Sequence, residues 1–588
     1  MDSLESNYEV FIAGSGPLGA TYARQVLEHH KSARVIMVEV GAQESLIPGM
    51  NLKNAVKYQR DLDAFTHIIR GAMQPTSIPP VSGFLSTLQG DTWAQSEGRS
   101  SAASPFNPDQ DPTQIMGNGQ VTRAVGGMST HWTCCCPEPH DEELIQCPIE
   151  RSRMRKLLQQ GKELLNVHTD QFDTSVRHQL VKKALTDAYQ PKGIAVTNLP
   201  LAAERSKVND TLIEWSGMNT ILGEYTNAKD ANGRNRFKLL TECLVVKFEA
   251  DGSAPETIKS AHVRDLRTGQ ERSIEAKVFV AACGVVCTPQ LLWNSNIRHK
   301  ALGRFLTGHS HSFCQVVLRK TLLDELRAND ANPDPNDKIP IPLNDLEPQI
   351  GIPYSPTYPF HTQFHRDSFS YGNVGAQIDQ RVVVDIRYFC MLELQESNRI
   401  SFATEDRFGR PNTDIYGMPQ PTFYFKTTAK DDQLAHRMMK EMCEAANILG
   451  SYLPSALPQF IVTPSLTFLH LLNPLEGSTR VGNDPNTSVA NKNSRVRTTA
   501  GDSVYDNLWI GGPNCIPDST VSNPTLTAVS SPRNYNTHER ARLINLVVLG
   551  GLCYSRSRRR PAGSRKNIGL LGETSYSCMP QMIHLNRF

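Results

Sequence analysis

Near its N-terminus the chain runs Tyr8-Glu9-Val10-Phe11-Ile12-Ala13 into Gly14-Ser15-Gly16-Pro17-Leu18-Gly19, and then into residues 20–30 of helix-forming composition. A short apolar run, a glycine turn and a helix in that order predict a strand that hands over directly to a helix. Gly14 permits the tight turn, Gly16 lets a diphosphate approach the backbone, and Gly19 lets the helix pack close to the strand, while Pro17 suits the first helical turn. The helix N-terminus would then face the diphosphate. A second β-run, residues 33–40, closes on Glu39, about twenty residues past Gly19, where a carboxylate binds ribose hydroxyls. Glu39, with no arginine directly after it, suits FAD or NAD and disfavours NADP.

A chain of 588 residues is too long for one core, so an α/β protein of at least two intertwined domains is expected. Lys+Arg (61) and Asp+Glu (59) nearly cancel, leaving +2, which argues against nucleic acid or an anionic membrane as partner. The 13 cysteines include Cys134-Cys135-Cys136 and the pair Cys283 and Cys287, none at zinc-site spacing. No metal is expected, and the cysteines read as reduced thiols. Residues 1–8 carry Asp2 and Glu5 and no signal-peptide apolar core, and the best apolar run, 543–552, is about half the length of a membrane span. An intracellular protein is the expectation.

Along the chain, residues 71–120 turn Pro-, Ser- and Gly-rich and read as a surface arm, either a mobile insert or a contact for another subunit. Gly126-Gly127-Met128-Ser129-Thr130-His131-Trp132-Thr133 follows. Its glycines free the backbone to approach a flat ligand, and His131 and Thr133, two apart, would share a face of an extended segment. Residues 141–190 have helical periodicity. Residues 239–248 and 277–282 read as strands, the second entering Cys283-Gly284 and a helix. Beyond a Pro/Asp/Asn-rich break at 329–342, residues 377–389, 398–402 and 421–426 suggest a β-rich domain. Ahead of them, His365-Arg366-Asp367-Ser368-Phe369-Ser370-Tyr371-Gly372 is either a polar-ligand loop or an ordinary surface loop. His470 and Asn523 each stand beside a turn. A His that takes a hydroxyl proton and an Asn that hydrogen-bonds the same oxygen would serve hydride abstraction from an alcohol, although a buried His and an Asn starting a helix would look the same.

The order of these motifs resembles the glucose-methanol-choline (GMC) family of FAD oxidoreductases, and within it the pyranose 2-oxidases, over residues 8–528. The most specific pieces are Thr122-Arg123-Ala124-Val125-Gly126-Gly127-Met128-Ser129-Thr130-His131-Trp132-Thr133, the loop 365–372, and Asn523-Pro524-Thr525-Leu526-Thr527-Ala528. The resemblance implies a Rossmann-like FAD-binding domain interleaved with a β-rich substrate-binding domain. FAD-binding parts would fall at 1–70, 121–300 and 461–530, the arm at 71–120, the substrate domain at 301–460, and a divergent basic tail at 531–588 that reads as disordered.

The resemblance also implies roles. Gly14, Gly16, Gly19, Glu39 and Gly127 would bind FAD, and His131 would bond covalently to the flavin 8α carbon. Thr133 would sit near flavin N5 and the sugar, with His470 as catalytic base and Asn523 as its partner. Gln363, Asp367, Phe369 and Tyr371 would contact or gate the sugar, and Asp385 and Arg387 match a sheet segment near the pocket. The implied reaction takes aldopyranoses such as D-glucose to the 2-keto sugar, with O2 reduced to H2O2 or quinones accepting the electrons, in an enzyme that is commonly a homotetramer. Another sugar or alcohol oxidoreductase of the family, or a flavin-binding relative without catalysis, is the competing reading. This sequence departs from the family pattern at about Leu472-Asn473-Pro474-Leu475, extra residues between His470 and the Gly477-Ser478-Thr479-Arg480-Val481-Gly482 turn, after residue 528, and at 314–350, which is shorter than in larger relatives.

Overall fold

The computed structural model describes residues 8–61, 64–65, 68, 73–79, 106–114, 120–329, 334–366, 374, 377–454, 456–460 and 475–530. All of them lie in the first of two units into which the chain divides, Met1–Val547, the second being Val548–Phe588. Strand β1 (Val10–Ala13) is followed by helix α1 (Pro17–His29) and strand β2 (Val35–Val38), as the glycine turn predicts. The two strands pair in parallel within a six-stranded sheet of order Arg495–Arg497, Val504–Ile510, Val278–Ala281, β1, β2, Phe237–Leu240. Every residue of β1 and β2 is buried, because both faces of the sheet are covered. Val10 and Ile12 pack with Leu18, Tyr22 and Val26 of α1. Phe11 and Ala13 pack on the other side against Val245, Phe248 and Val263 of a three-stranded antiparallel sheet.

That arrangement corrects one reading. Residues 239–248 are not one strand: Phe237–Leu240 belongs to the parallel sheet and Cys243–Asp251 to the antiparallel one, with Glu242 at φ +52° turning the chain between them.

The second layer is a seven-stranded, antiparallel sheet built on β3 (His309–Leu318), β4 (His361–His365) and β5 (Val383–Met391), with β5 central between β3 and β4. Side chains alternate across its faces. Cys314, Val316, Phe364, Val384, Ile386 and Tyr388 pack against helix α2 (Ala429–Leu449) and helix Val176–Tyr189. The intervening residues of all three strands point the other way, toward the first layer.

Part of segment 71–120 is built into the fold rather than running over the surface, while Pro112 and Thr113 are exposed. Met73–Pro75 pairs with Gln120–Thr122, and Asn107 is fully buried, its Nδ2 donating to Pro421 O (3.0 Å) and Thr422 Oγ1 (2.7 Å). No helix among the described residues is long and apolar enough to cross a membrane.

Candidate active site

The two layers face each other across a cavity of about 330 Å³. It begins at the fingerprint. Gly14 has φ +94°, and a Cβ there would lie 2.4 Å from Ala282 O; a Cβ at Gly19 would lie 2.1 Å from Gly14 O. These two glycines serve the packing of strand on helix. Gly16 differs: a Cβ there would meet nothing within 4 Å, although the residue lines the cavity at the N-terminus of α1. That terminus has no side-chain cap, so its amides are available to a ligand anion. Glu39, at the end of β2, also lines the cavity, and its carboxylate accepts from Ser15 N (3.0 Å), Ser15 Oγ (2.7 Å) and Gly41 N (2.9 Å). Burial raises its pKa, and those hydrogen bonds oppose the rise. Free helix amides beside a carboxylate, with a glycine between them leaving room, form a donor and acceptor set that suits a diphosphate and a ribose.

The glycine turn comes next. Gly126 N donates to Ser15 Oγ (2.9 Å), and a Cβ at Gly127 would lie 3.2 Å from Gly16 Cα, so this turn packs directly on the fingerprint loop. Residues Gly127–Thr130 form a 3₁₀ turn and His131 follows with φ −150° and ψ 14°, so His131 and Thr133 do not share the face of an extended segment. Thr133, Trp132 and Gly127 line the cavity; His131 is fully buried beside it. Thr130 Oγ1 lies 2.9 Å from His131 Nδ1 and Thr122 Oγ1 lies 3.2 Å from Nε2, with Thr122 on the cavity wall. The Thr130 hydroxyl already donates to Gly127 O (2.9 Å), so it accepts from Nδ1–H, which leaves the lone pair on Nε2, facing Thr122. Burial holds this imidazole at about 4, and hence neutral.

At the far end, the sheet presents its polar face. The rows across β3, β5 and β4 read His311–Phe389–His361, then Phe313–Arg387–Gln363, then Gln315–Asp385–His365. His309, His311, Gln363, Arg387 and Phe389 line the cavity. Gln363 Nε2 donates to Asn523 Oδ1 (2.7 Å), which also accepts from Ser522 Oγ (3.1 Å), and Asn523 Nδ2 donates to Thr133 Oγ1 (3.4 Å). Two donors on its oxygen thus fix the Asn523 amide, with its NH2 turned toward Thr133. Burial pushes His309 and His361 down to about 3, so both are neutral.

Behind Asn523 stands a group of buried acids. Glu476 accepts from Thr520 N (3.1 Å) and contacts Thr520 Oγ1, Glu143 accepts from Val521 N (2.7 Å), and Asp518 accepts from Gln146 N (2.9 Å). Burial pushes Glu476 up to about 8, Glu143 up to about 7 and Asp518 up to about 6. The Thr520 hydroxyl donates to Ser522 O (2.8 Å), and its single hydrogen cannot also serve Glu476, so a protonated Glu476 supplies the second.

Of the residues singled out from sequence, Gly14, Gly16, Glu39, Gly127, Thr133, Gln363 and Asn523 line this one cavity. Gly19 packs beneath it and His131 beside it. Asp367, Phe369, Tyr371 and His470 lie outside the described residues. Sequence reasoning missed His309, His311, His361 and Glu476; the period-two spacing of His309/His311 and of His361/Gln363/His365 was the available signal for the histidines.

No family model matches the chain. It is 41% identical over 545 residues to a pyranose 2-oxidase of Tricholoma matsutake, covering 90% of this chain and 93% of that protein. The chain belongs to the pyranose 2-oxidase family. A C-glycoside 3-oxidase of Microbacterium trichothecenolyticum is 31% identical, covering 89% of this chain and 94% of the relative. In fold, a pyridoxine 4-oxidase structure matches with a TM-score of 0.56 at 15% identity, over 91% of this chain and 99% of the other. The two share a fold, a Rossmann-like layer joined to a β-rich layer. FAD is the cofactor that pyranose 2-oxidase membership implies, and the residues around Gly16 and Glu39 fit its diphosphate and ribose.

Proposed function

We propose that this chain oxidises aldopyranoses such as D-glucose at C2 to the 2-keto sugar, with O2 reduced to H2O2 or quinones taking the electrons. The observation that carries the reading is the chain Thr133–Asn523–Gln363, which places fixed amide and hydroxyl groups in the same cavity as the dinucleotide fingerprint. Bound FAD would supply the two-electron acceptor that takes a hydride from the sugar carbon and passes the electrons on.

The protein's own groups do the rest. The free helix amides at Gly16 hold the diphosphate and Glu39 the ribose. Asn523, with its oxygen tied to Gln363 and Ser522, directs its NH2 at the sugar oxygen and stabilises charge developing there. His470, assigned from its motif, takes the hydroxyl proton. His131 is the proposed covalent tether to the flavin, through Nε2: Thr130 occupies Nδ1–H, and displacing the Thr122 hydroxyl frees the nitrogen lone pair at the cavity wall.

The wild type and one variant test these roles. Yellow colour should stay with the pellet after acid precipitation, and colour in the supernatant would remove the tether. Anaerobic D-glucose should bleach the flavin, and His470→Ala should keep the flavin yet slow bleaching by about 10²–10⁴-fold. Similarity to a C-glycoside 3-oxidase favours, as second reading, attack at C3. Locating the carbonyl in the product by NMR decides between them.

A further inference from the structure

Gln363 and His311 stand on opposite flanks of the central strand β5. Gln363, fully buried, spends its nitrogen on Asn523 Oδ1 and His361 Nε2 (3.3 Å) and leaves Oε1 with no partner among the described residues. His311 is 1% exposed and lines the cavity, and neither of its ring nitrogens has a hydrogen-bond partner among the described residues. Its ring is stacked on Phe389, centroids 4.3 Å apart and planes 18° apart, so one face is covered, the ring plane is held, and the nitrogens on its edge remain for a ligand. A buried nitrogen without a partner is costly, which makes both orphaned groups candidates for a ligand's hydroxyls. Neighbouring strands lie about 4.8 Å apart, so β3 and β4 are separated by about 10 Å, a gap that side chains from both can close onto one six-membered ring.

Resting on the sugar-oxidase reading, we propose that His311 is a specificity-determining residue that hydrogen-bonds a non-reacting hydroxyl of the pyranose, opposite the Asn523–Gln363 flank where C2 reacts. The neutral imidazole, held so by burial and by Arg387, His309 and His365 nearby, offers one donor and one acceptor. A hydroxyl matches both capacities; a carboxylate would match only the donor. The preferred ligand is therefore a neutral sugar.

The test uses the flavin-loaded enzyme, D-glucose, and analogues lacking the hydroxyl at C1, C3, C4 or C6. His311→Phe preserves the stack on Phe389 and removes both nitrogens. It should lower kcat/KM for D-glucose by about 3- to 10-fold, the worth of one neutral hydrogen bond. For one analogue, the one already lacking the contacted hydroxyl, wild type and variant should be equal. His311→Leu is measured alongside, and either variant that retains flavin decides the matter. Equal losses on every analogue would show a packing role and overturn the proposal, as would no loss on D-glucose. Failure of every aldopyranose to reduce wild-type flavin would instead overturn the sugar-oxidase reading itself.

Discussion

The two walls of the cavity are built on opposite principles. The wall at β1 and β2 comes from strands buried on both faces, which carry no polar side chain outside their ends, and what it turns to the cavity is backbone and the carboxylate of Glu39. The wall at β3, β4 and β5 has one apolar face against α2 and one face of buried His, Gln, Asp and Arg. The first suits a ligand that never varies, because backbone geometry tolerates little substitution. The second is adjustable residue by residue, which is what distinguishing one sugar from another requires.

Asn523 joins the two walls, so replacing it should have the largest effect. Asn523→Leu keeps the volume and removes the donor to the reacting oxygen. Anaerobic flavin reduction by D-glucose should slow by about 10²–10³-fold while flavin content stays unchanged. A rate within a factor of two of wild type would break the assignment of this side chain to the chemistry.

The glycines sharpen the comparison on the nucleotide side. Gly16→Val meets no protein atom at its Cβ, so the chain should fold and bind flavin at least about tenfold more weakly. Gly19→Ala drives a Cβ to 2.1 Å from Gly14 O, so it should destabilise the fold by about 1–3 kcal/mol and lose flavin only as a consequence. Flavin titration and thermal melting of the two proteins separate these outcomes. Equal melting temperatures with equal flavin loss would mean that both glycines face the ligand.

The same contrast decides what could be read from sequence. The turn at Gly14–Gly19 and the acid at Glu39 are local signals, and the strand, helix and strand fall where the apolar runs put them. Thr133, Gln363 and Asn523 were assigned by family resemblance, and the structure brings the three into one hydrogen-bonded chain. The period-two spacing of His309 and His311 marks one face of a strand but not a cavity, because a polar strand face is ordinarily turned to water, and here it is turned to a cavity. The break at Glu242 was hidden by an uninterrupted β-forming composition on either side of it. Glu476 gave no signal at all: its character depends on Thr520, Glu143 and Asp518, brought to it only by the fold.

Glu476 supports the loop that presents Asn523, and the smallest expected effect concerns its proton. Its folded pKa, raised to about 8 from an ordinary 4.5 by burial, with Glu143 and Asp518 pushing the same way, means that the folded state holds a proton the unfolded chain releases. Its contribution is therefore complete below pH 4.5 and is lost as pH rises through about 8. In a chain this long the melting temperature moves by only about 1 °C per kcal/mol, so the wild type should lose about 1–3 °C between pH 6 and pH 9. Glu476→Gln keeps an N–H for Thr520 Oγ1 and cannot ionise. It should flatten most of that slope, leaving the part due to Glu143, whose pKa is raised to about 7. A variant whose melting temperature falls as steeply as wild type would place the titrating group elsewhere and free the Asn523 loop from dependence on this carboxyl.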